Sequence, residues 1–302
     1  MPLTDATDLI RRAAVQTLNQ PSRPIFENRV VAPFVLDAEG QQMVTRANQS
    51  LDSGYVDSHD FPRPAVFFDL VVENLNRSGR AHFNRAIDVC CGTGFLALEL
   101  TRRGIIETCL AVDINRAAIT ILQEKLKATP SSRVEPTHAN FLSFSPKEKV
   151  DLIIGNSFLH HFPDNRAFLL KCHELLNQGG VLFLCHEPSL LNDFLENPIS
   201  YLLTLLGRRK SVLCTDIWQY SVRSATELLQ STGFTHIEIR GFSLLSSPFN
   251  WLVLTIWKRV LRAPVPRWAW GFFFRLTIWE QKLFFFIPKD WFASFMITAR
   301  AE

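Results

Sequence analysis

From Arg85 onward, short apolar runs rich in Val, Ile and Leu alternate with amphipathic stretches of helical spacing, and this alternation constrains the fold more than any other feature of the chain. Strands covered on both faces read as continuous apolar runs, so the pattern predicts βα units joined into a mostly parallel sheet. The expected strands are 85–90 (RAIDVC), 108–114 (TCLAVDI), 133–138, 150–156 (VDLIIGN), 181–186 (VLFLCH) and 235–241 (THIEIRG). A seventh, 291–300 (WFASFMITAR), has the length and polar end of an antiparallel edge strand. Gly104 and Gly179 stand where helix C-caps belong, and Ser224 with Glu227 reads as a capping box.

Residues 1–84 have a different texture and read as a helical N-terminal cap, with helical spacing over Asp8–Leu18 and Pro64–Asn76. The main domain, 85–302, is interrupted by apolar insertions at about 188–222 and 243–289. A chain of 302 residues with 47% hydrophobic residues buries a full core, which excludes disorder and fibrous repeats. Its net charge of +3 lacks the dense basic stripe of a duplex-binding protein, so a small-molecule substrate is expected and nucleic acid is not. Cys90, Cys91, Cys109, Cys172, Cys185 and Cys214 show neither Cys-x-x-Cys nor zinc spacing, so reduced thiols in the cytoplasm and no metal are expected. The most apolar tract, Phe242–Trp257, meets Lys258, Arg259 and Arg262 before reaching the ~18 to 20 residues of a membrane span. No export signal or transmembrane segment is predicted.

Asp88-Val89-Cys90-Cys91-Gly92-Thr93-Gly94-Phe95 follows the first predicted strand and opens a helix, where backbone amides and the positive helix end face a ligand. Through Ala97 the stretch also reads as Gly-x-Gly-x-x-Ala, and Asp113 ends the next strand, where an acid holds ribose hydroxyls. Spacing alone leaves dinucleotides and other adenosine cofactors unseparated. Charge separates them, since an aspartate at 88 repels a pyrophosphate and suits the ammonium and sulfonium of S-adenosylmethionine. The bland alternative is that Asp88 only caps the turn.

The segment AIDVCCGTG resembles the glycine-rich motif of class I S-adenosylmethionine-dependent methyltransferases, with Cys90 replacing the first glycine. The resemblance covers roughly 85–242 and the last strand. It implies a Rossmann-like α/β fold, a seven-stranded mostly parallel sheet with an antiparallel last strand, carrying here the helical cap and apolar helical insertions. It also implies cofactor contacts at Asp88, Cys90, Gly92 and Gly94, ribose binding by Asp113 and adenine packing on Ile114. Asn140 and Phe141 fall where the family meets the adenine amino group, and Asn156 and Ser157 where it borders the methionine portion and the substrate. LLNQGGVLFLCHEP resembles the family's fifth strand with its preceding turn.

Methyl transfer is an in-line displacement, so the protein positions the nucleophile, excludes water and, for hydroxyl acceptors, removes a proton. His160 and His161 follow the fourth predicted strand, and His186 and Glu187 the fifth, which makes these four the candidate bases. Cofactor packing by the same turns is the plainer alternative. His59, Asp216 and Tyr220 are candidates to enter from cap or lid, whereas His82, His138, His173 and His236 read as surface or packing residues.

Trp251, Trp257, Trp268, Trp270, Trp279 and Trp291 crowd the last part of the chain beside Phe272–Phe274 and Phe284–Phe286, with Lys258, Arg259, Arg262, Arg267 and Arg275 among them. Such a segment suits an interfacial helix on an anionic membrane, a lid over an apolar pocket, or an oligomer contact. In the first insertion, Leu190, Leu191, Phe194, Leu195, Ile199, Leu202, Leu203, Leu205 and Leu206 repeat at helical spacing and point to an apolar acceptor too. The expected function is methyl transfer to an oxygen or activated carbon of a hydrophobic small molecule that is polyketide-, quinone- or lipid-like. A family member that binds the cofactor without methylating is the alternative, and nucleic-acid methylation a weaker one.

Overall fold

The computed structural model describes residues 29–30, 63–129, 133–162, 164–192, 195, 218–262 and 265–302. Seven strands form one sheet: β1 (Phe83–Val89), β2 (Ile106–Asp113), β3 (Val134–His138), β4 (Val150–Asn156), β5 (Leu176–Pro188), β6 (Phe234–Phe242) and β7 (Ser294–Ala301). Their spatial order is β3-β2-β1-β4-β5-β7-β6. All neighbouring pairs are parallel except those involving β7, which runs antiparallel to both β5 and β6.

Period-two alternation sends neighbouring side chains of β1 to opposite faces. Ile87 and Val89 join a buried cluster with Phe168, Leu169 and Leu229, contributed by helices α4 (Asn165–Leu175) and α5 (Val222–Gln230). Ala86 joins a second cluster under α1 (Ala65–Asn76), α2 (Phe95–Arg102) and α3 (Arg116–Lys127). Both sheet faces are therefore covered, as the continuous apolar runs required.

Several local expectations are corrected. β7 is not an edge strand: it is inserted between β5 and β6, nearly every residue of it is buried, and β6 takes the edge. Gly179 does not cap a helix. α4 ends at Leu175, and Gly179 (φ +69°) lies in an irregular start of β5, where Val150 pairs with Leu176 and Leu152 already with Val181. The capping box of α5 sits three residues earlier than expected, with Ser221 as N-cap and Ser224 closing the reciprocal bond. Gly104 (φ +70°) does follow α2 directly, in the left-handed conformation a helix stop favours.

The second insertion is helical. α6 (Ser246–Leu254) continues into a π-helical turn, Thr255–Val260, and is followed by α7 (Arg267–Leu283) and a short turn, Lys289–Trp291. It leaves the sheet after Phe242 and returns at Ser294, two residues paired with each other, so both of its roots stand at the carboxyl edge of the parallel strands. α7 reaches across to α1, where the Phe274 and Phe67 rings lie 5.0 Å apart. Among the described residues no helix is long and apolar enough to cross a membrane. The expected helix at 8–18 and most of the first insertion lie outside the described residues, as do His59, Asp216 and Cys214.

Candidate functional site

The turn between β1 and α2 carries three left-handed residues, Cys90 (φ +51°), Gly92 (φ +55°) and Gly94 (φ +77°). A Cβ at Gly94 would sit 2.5 Å from the Leu122 side chain, so glycine is needed there for packing as well as backbone conformation. At Gly92 a Cβ would meet nothing within 4 Å, which leaves an open space above the turn. Asp113, at the end of β2, ties the turn down: its Oδ2 accepts the Gly92 N–H at 2.7 Å and its Oδ1 the Asn115 N–H at 2.7 Å. Burial raises the Asp113 carboxyl above its ordinary value, while those amide hydrogen bonds pull the other way. Lys125 of α3 donates to the Thr93 carbonyl at 3.4 Å, a brace the sequence did not reveal.

Asp88 does not stand beside the ligand space. On the alternation of β1 it falls with Ala86, facing α2, and it is only 2% exposed. Its Oδ2 accepts the Ala97 N–H at 3.0 Å, so it caps the first turn of α2 from below. Burial pushes its carboxyl up to about 8, with the nearby Asp113 charge adding to the effect. The discrimination between cofactors drawn from a charged Asp88 is thereby corrected: in this structure the residue supports the turn.

The remaining positions gather at the same sheet edge. Cys90, Ser157 (φ +56°), His186 (φ +63°) and Ser243 (φ +68°) are all non-glycine residues in left-handed conformation, at the carboxyl ends of β1, β4, β5 and β6. Such conformations cost of order 1–3 kcal/mol each and concentrate at ligand sites. Asn140 is the N-cap of a short turn, Phe141–Ser143, its Oδ1 accepting the Leu142 N–H at 3.0 Å, while Phe141 is buried against Phe168. Ile114 is partly buried just past β2, and its carbonyl meets His138 Nε2 at 3.0 Å. Asn156 ends β4 opposite Cys185, and the Ser157 N–H donates to the Cys185 carbonyl at 2.7 Å.

The four candidate bases fall into separate groups. Glu187 is fully buried. Its carboxylate accepts the N–H groups of Phe158, Leu159 and His160 at 3.1, 3.1 and 3.2 Å, and its Oε2 lies 2.8 Å from His160 Nδ1. Burial pushes this carboxyl up, but the attraction of His160 and the amide hydrogen bonds prevail and hold it below its ordinary value. Glu187 and His160, itself 3% exposed, therefore lock the short turn Leu159–His161 onto β5, and neither faces the crevice. His161 is the last residue of that turn. His186 is only partly buried. Its Nδ1 lies 3.4 Å from Ser157 Oγ, and its ring stands edge-on to Phe242. Tyr220, a possible lid residue by sequence, is instead buried in the core with its hydroxyl 3.3 Å from Asn165 Nδ2.

A bulge explains the division. Cys185 pairs with Met296, yet Glu187 pairs with Phe295, so the extra residue, His186, breaks the alternation. Glu187 thereby takes the face of Phe295 and Tyr220, and His186 is left at the strand end beside Ser157.

An open, doubly covered sheet with a glycine turn closed on an acid at the next strand end defines a Rossmann-like adenosine-cofactor fold. Residues 86–180 match the family described as Methyltransferase domain. The ubiquinone biosynthesis O-methyltransferase of Pseudomonas fluorescens (strain SBW25) is 26% identical over 136 residues, 45% of this chain and 53% of that protein. An uncharacterized methyltransferase of Mycobacterium tuberculosis (strain ATCC 25618 / H37Rv) is 33% identical over 109 residues, 35% of this chain and 53% of that protein. The chain thus spans about half the length of the curated relatives it matches. Among solved structures, magnesium protoporphyrin IX methyltransferase from Synechocystis PCC 6803 with bound S-adenosylhomocysteine shares the fold with TM-score 0.54 at 15% identity, covering 85% of this chain and 99% of that one. Phosphoethanolamine N-methyltransferase 2 of Haemonchus contortus does so with TM-score 0.57 at 12% identity, covering 99% and 75%. Residues 86–180 thus carry a methyltransferase-domain signature, and the sheet around them has the Rossmann-like fold of the class I S-adenosylmethionine-dependent methyltransferases.

Proposed function

We propose that this protein transfers a methyl group from S-adenosylmethionine to an oxygen of a hydrophobic, quinone-like small molecule. The observation that carries the reading is the closure of the glycine turn on Asp113, with Gly92 N–H held to its carboxylate at 2.7 Å beneath open space. That arrangement fits an adenosine cofactor: each Asp113 oxygen keeps a lone pair for a ribose hydroxyl after accepting its amide, and backbone approaches the ligand freely at Gly92. Ile114 and Phe141 would flank the adenine, and Asn140 would meet its amino group. When bound, the cofactor supplies an electrophilic methyl on sulfur.

The chain's own residues do the rest. His186, at the strand end beside Ser157, is our candidate for taking the acceptor's hydroxyl proton. Glu187 and His160 hold the segment after β4 in place. The helical insertion 243–289 acts as a lid that keeps water from the crevice. The apolar acceptor rests on that aromatic lid and on the ubiquinone biosynthesis O-methyltransferases of Pseudomonas, which share only about a quarter of their residues with this chain over the matched part.

The test is calorimetric binding of S-adenosylmethionine, followed by S-adenosylhomocysteine release with a panel of apolar catechols and phenols. Micromolar binding and turnover on a hydroxyl acceptor are expected. Binding without turnover on any acceptor would favour a non-methylating member of the family, and binding of a nicotinamide or flavin nucleotide instead would overturn the cofactor assignment.

A further inference from the structure

We infer that the outer face of the 243–291 insertion docks on an anionic lipid surface. The inference starts from how α7 is oriented. Its inner side is fixed by buried polar contacts: Glu280 accepts the Leu244 and Ser246 N–H groups at 2.8 and 2.5 Å and the Ser246 hydroxyl at 2.9 Å. Thr277 Oγ1 donates to Ser246 Oγ at 3.0 Å, and Gln281 Nε2 to the Gly241 carbonyl at 2.9 Å. Phe273 and Phe274 are buried on this same side.

With that side committed to the sheet end, helical geometry turns Trp268, Phe272, Arg275, Trp279 and Lys282 outward, at successive spacings of four and three residues. Trp268 is 60% exposed and Trp279 66%. The stripe runs over fourteen residue steps, about 21 Å at 1.5 Å per residue. Just beyond it Phe285 and Phe286 are 71% and 70% exposed, and Trp291 60%. Large aromatic side chains left in water at this density mark a surface that meets something.

Charge identifies the partner. From 243 to 289 the sequence contains Lys258, Arg259, Arg262, Arg267, Arg275, Lys282 and Lys289 against one acid, Glu280, and that acid is buried facing inward. Asp290, next in line, accepts the Val222 N–H at 2.7 Å. A second copy related by a two-fold axis would bring Arg275 and Lys282 against their own kind, which disfavours a dimer. Tryptophan and phenylalanine interleaved with cations match the headgroup boundary of an anionic bilayer, on which the helix lies without crossing. Because both roots of the insertion stand at the carboxyl edge, docking would bring the mouth of the proposed site to the lipid, where an apolar acceptor dissolves. This last step rests on the proposed function; the docking does not.

The experiment is vesicle flotation of the full chain, without cofactor or acceptor, on phosphatidylcholine with and without phosphatidylglycerol. Partition onto the anionic vesicles at least about tenfold above the neutral ones is expected. The double substitution Trp279→Ser/Phe286→Ser should abolish it, and Arg275→Glu/Lys282→Glu should reduce it by about tenfold or more, with the melting temperature and S-adenosylmethionine affinity unchanged. No partition of the wild-type chain, or partition indifferent to these substitutions, overturns the inference. A dimer in light scattering that the same substitutions dissociate does so too, in favour of a second copy. Catalytic failure with intact flotation would count against the proposed reaction alone.

Discussion

Glu187 Oε2 lies 2.8 Å from His160 Nδ1, and the same carboxylate receives three consecutive backbone N–H groups, so one buried anion organises the whole segment after β4. Glu187→Ala leaves those donors and the imidazole without their acceptor and should cost about 3–5 kcal/mol in chemical denaturation. Since the folded carboxyl is held below its ordinary value, its contribution is complete above that value and lost as pH falls through the folded one. The wild-type stability curve should therefore fall on the acid side more steeply than that of Glu187→Gln.

Asp88 works in the opposite sense. Its folded carboxyl is raised from 3.8 to about 8, so between those values the folded state keeps a proton that the unfolded state has released. Stability from this group is greatest below pH 4 and declines until about pH 8. Asp88→Asn keeps an acceptor for the Ala97 N–H and removes the titration. Its melting temperature should exceed that of the wild type at pH 8 and vary less between pH 4 and 8; an unchanged profile would refute the assignment.

Asp113→Ala removes both the ties that shape the glycine turn and the acceptors proposed for the ribose. Calorimetry should record S-adenosylmethionine affinity weakened by at least about 1.5–3 kcal/mol, ten- to more than a hundredfold. Asp113→Asn, which retains one acceptor oxygen, should fall between. Wild-type affinity in the alanine variant would contradict the role proposed for this residue.

His186→Ala tests the proposed base. Turnover on a hydroxyl acceptor should drop by about 10²–10⁴ with cofactor affinity unchanged. The matching substitution His160→Ala should lower stability as well, because it disturbs the buried Glu187. Equal rates for His186→Ala and wild type would remove this histidine from the chemistry.

Cys90 occupies a glycine position of the family motif at φ +51°. Cys90→Gly relieves the backbone but gives up a side chain packed against the core, so its stability should stay within about 1 kcal/mol of the wild type. Cys90→Val, branched at Cβ, should lose about 1–3 kcal/mol. Thermal unfolding of the pair separates backbone strain from packing.

Local pattern alone was enough for the individual strands. Ile87 and Val89 on one face, Ala86 on the other, and a glycine turn ahead of α2 are set by neighbours along the chain, and so are the strand spans to within a few residues. Side-chain period does not say which strand lies beside which, and the polar end of β7 suggests an edge although pairing with both β5 and β6 places it inside. The candidate site divided along the same line. Asp113 at the end of β2 follows from sequence order, whereas the fates of Asp88, His186 and Glu187 depended on a buried helix start and a single bulged residue opposite β7. A bulge reverses the facing of every residue after it without altering composition or hydropathy, so only the assembled sheet decided that Glu187 would be enclosed and His186 left at the strand end.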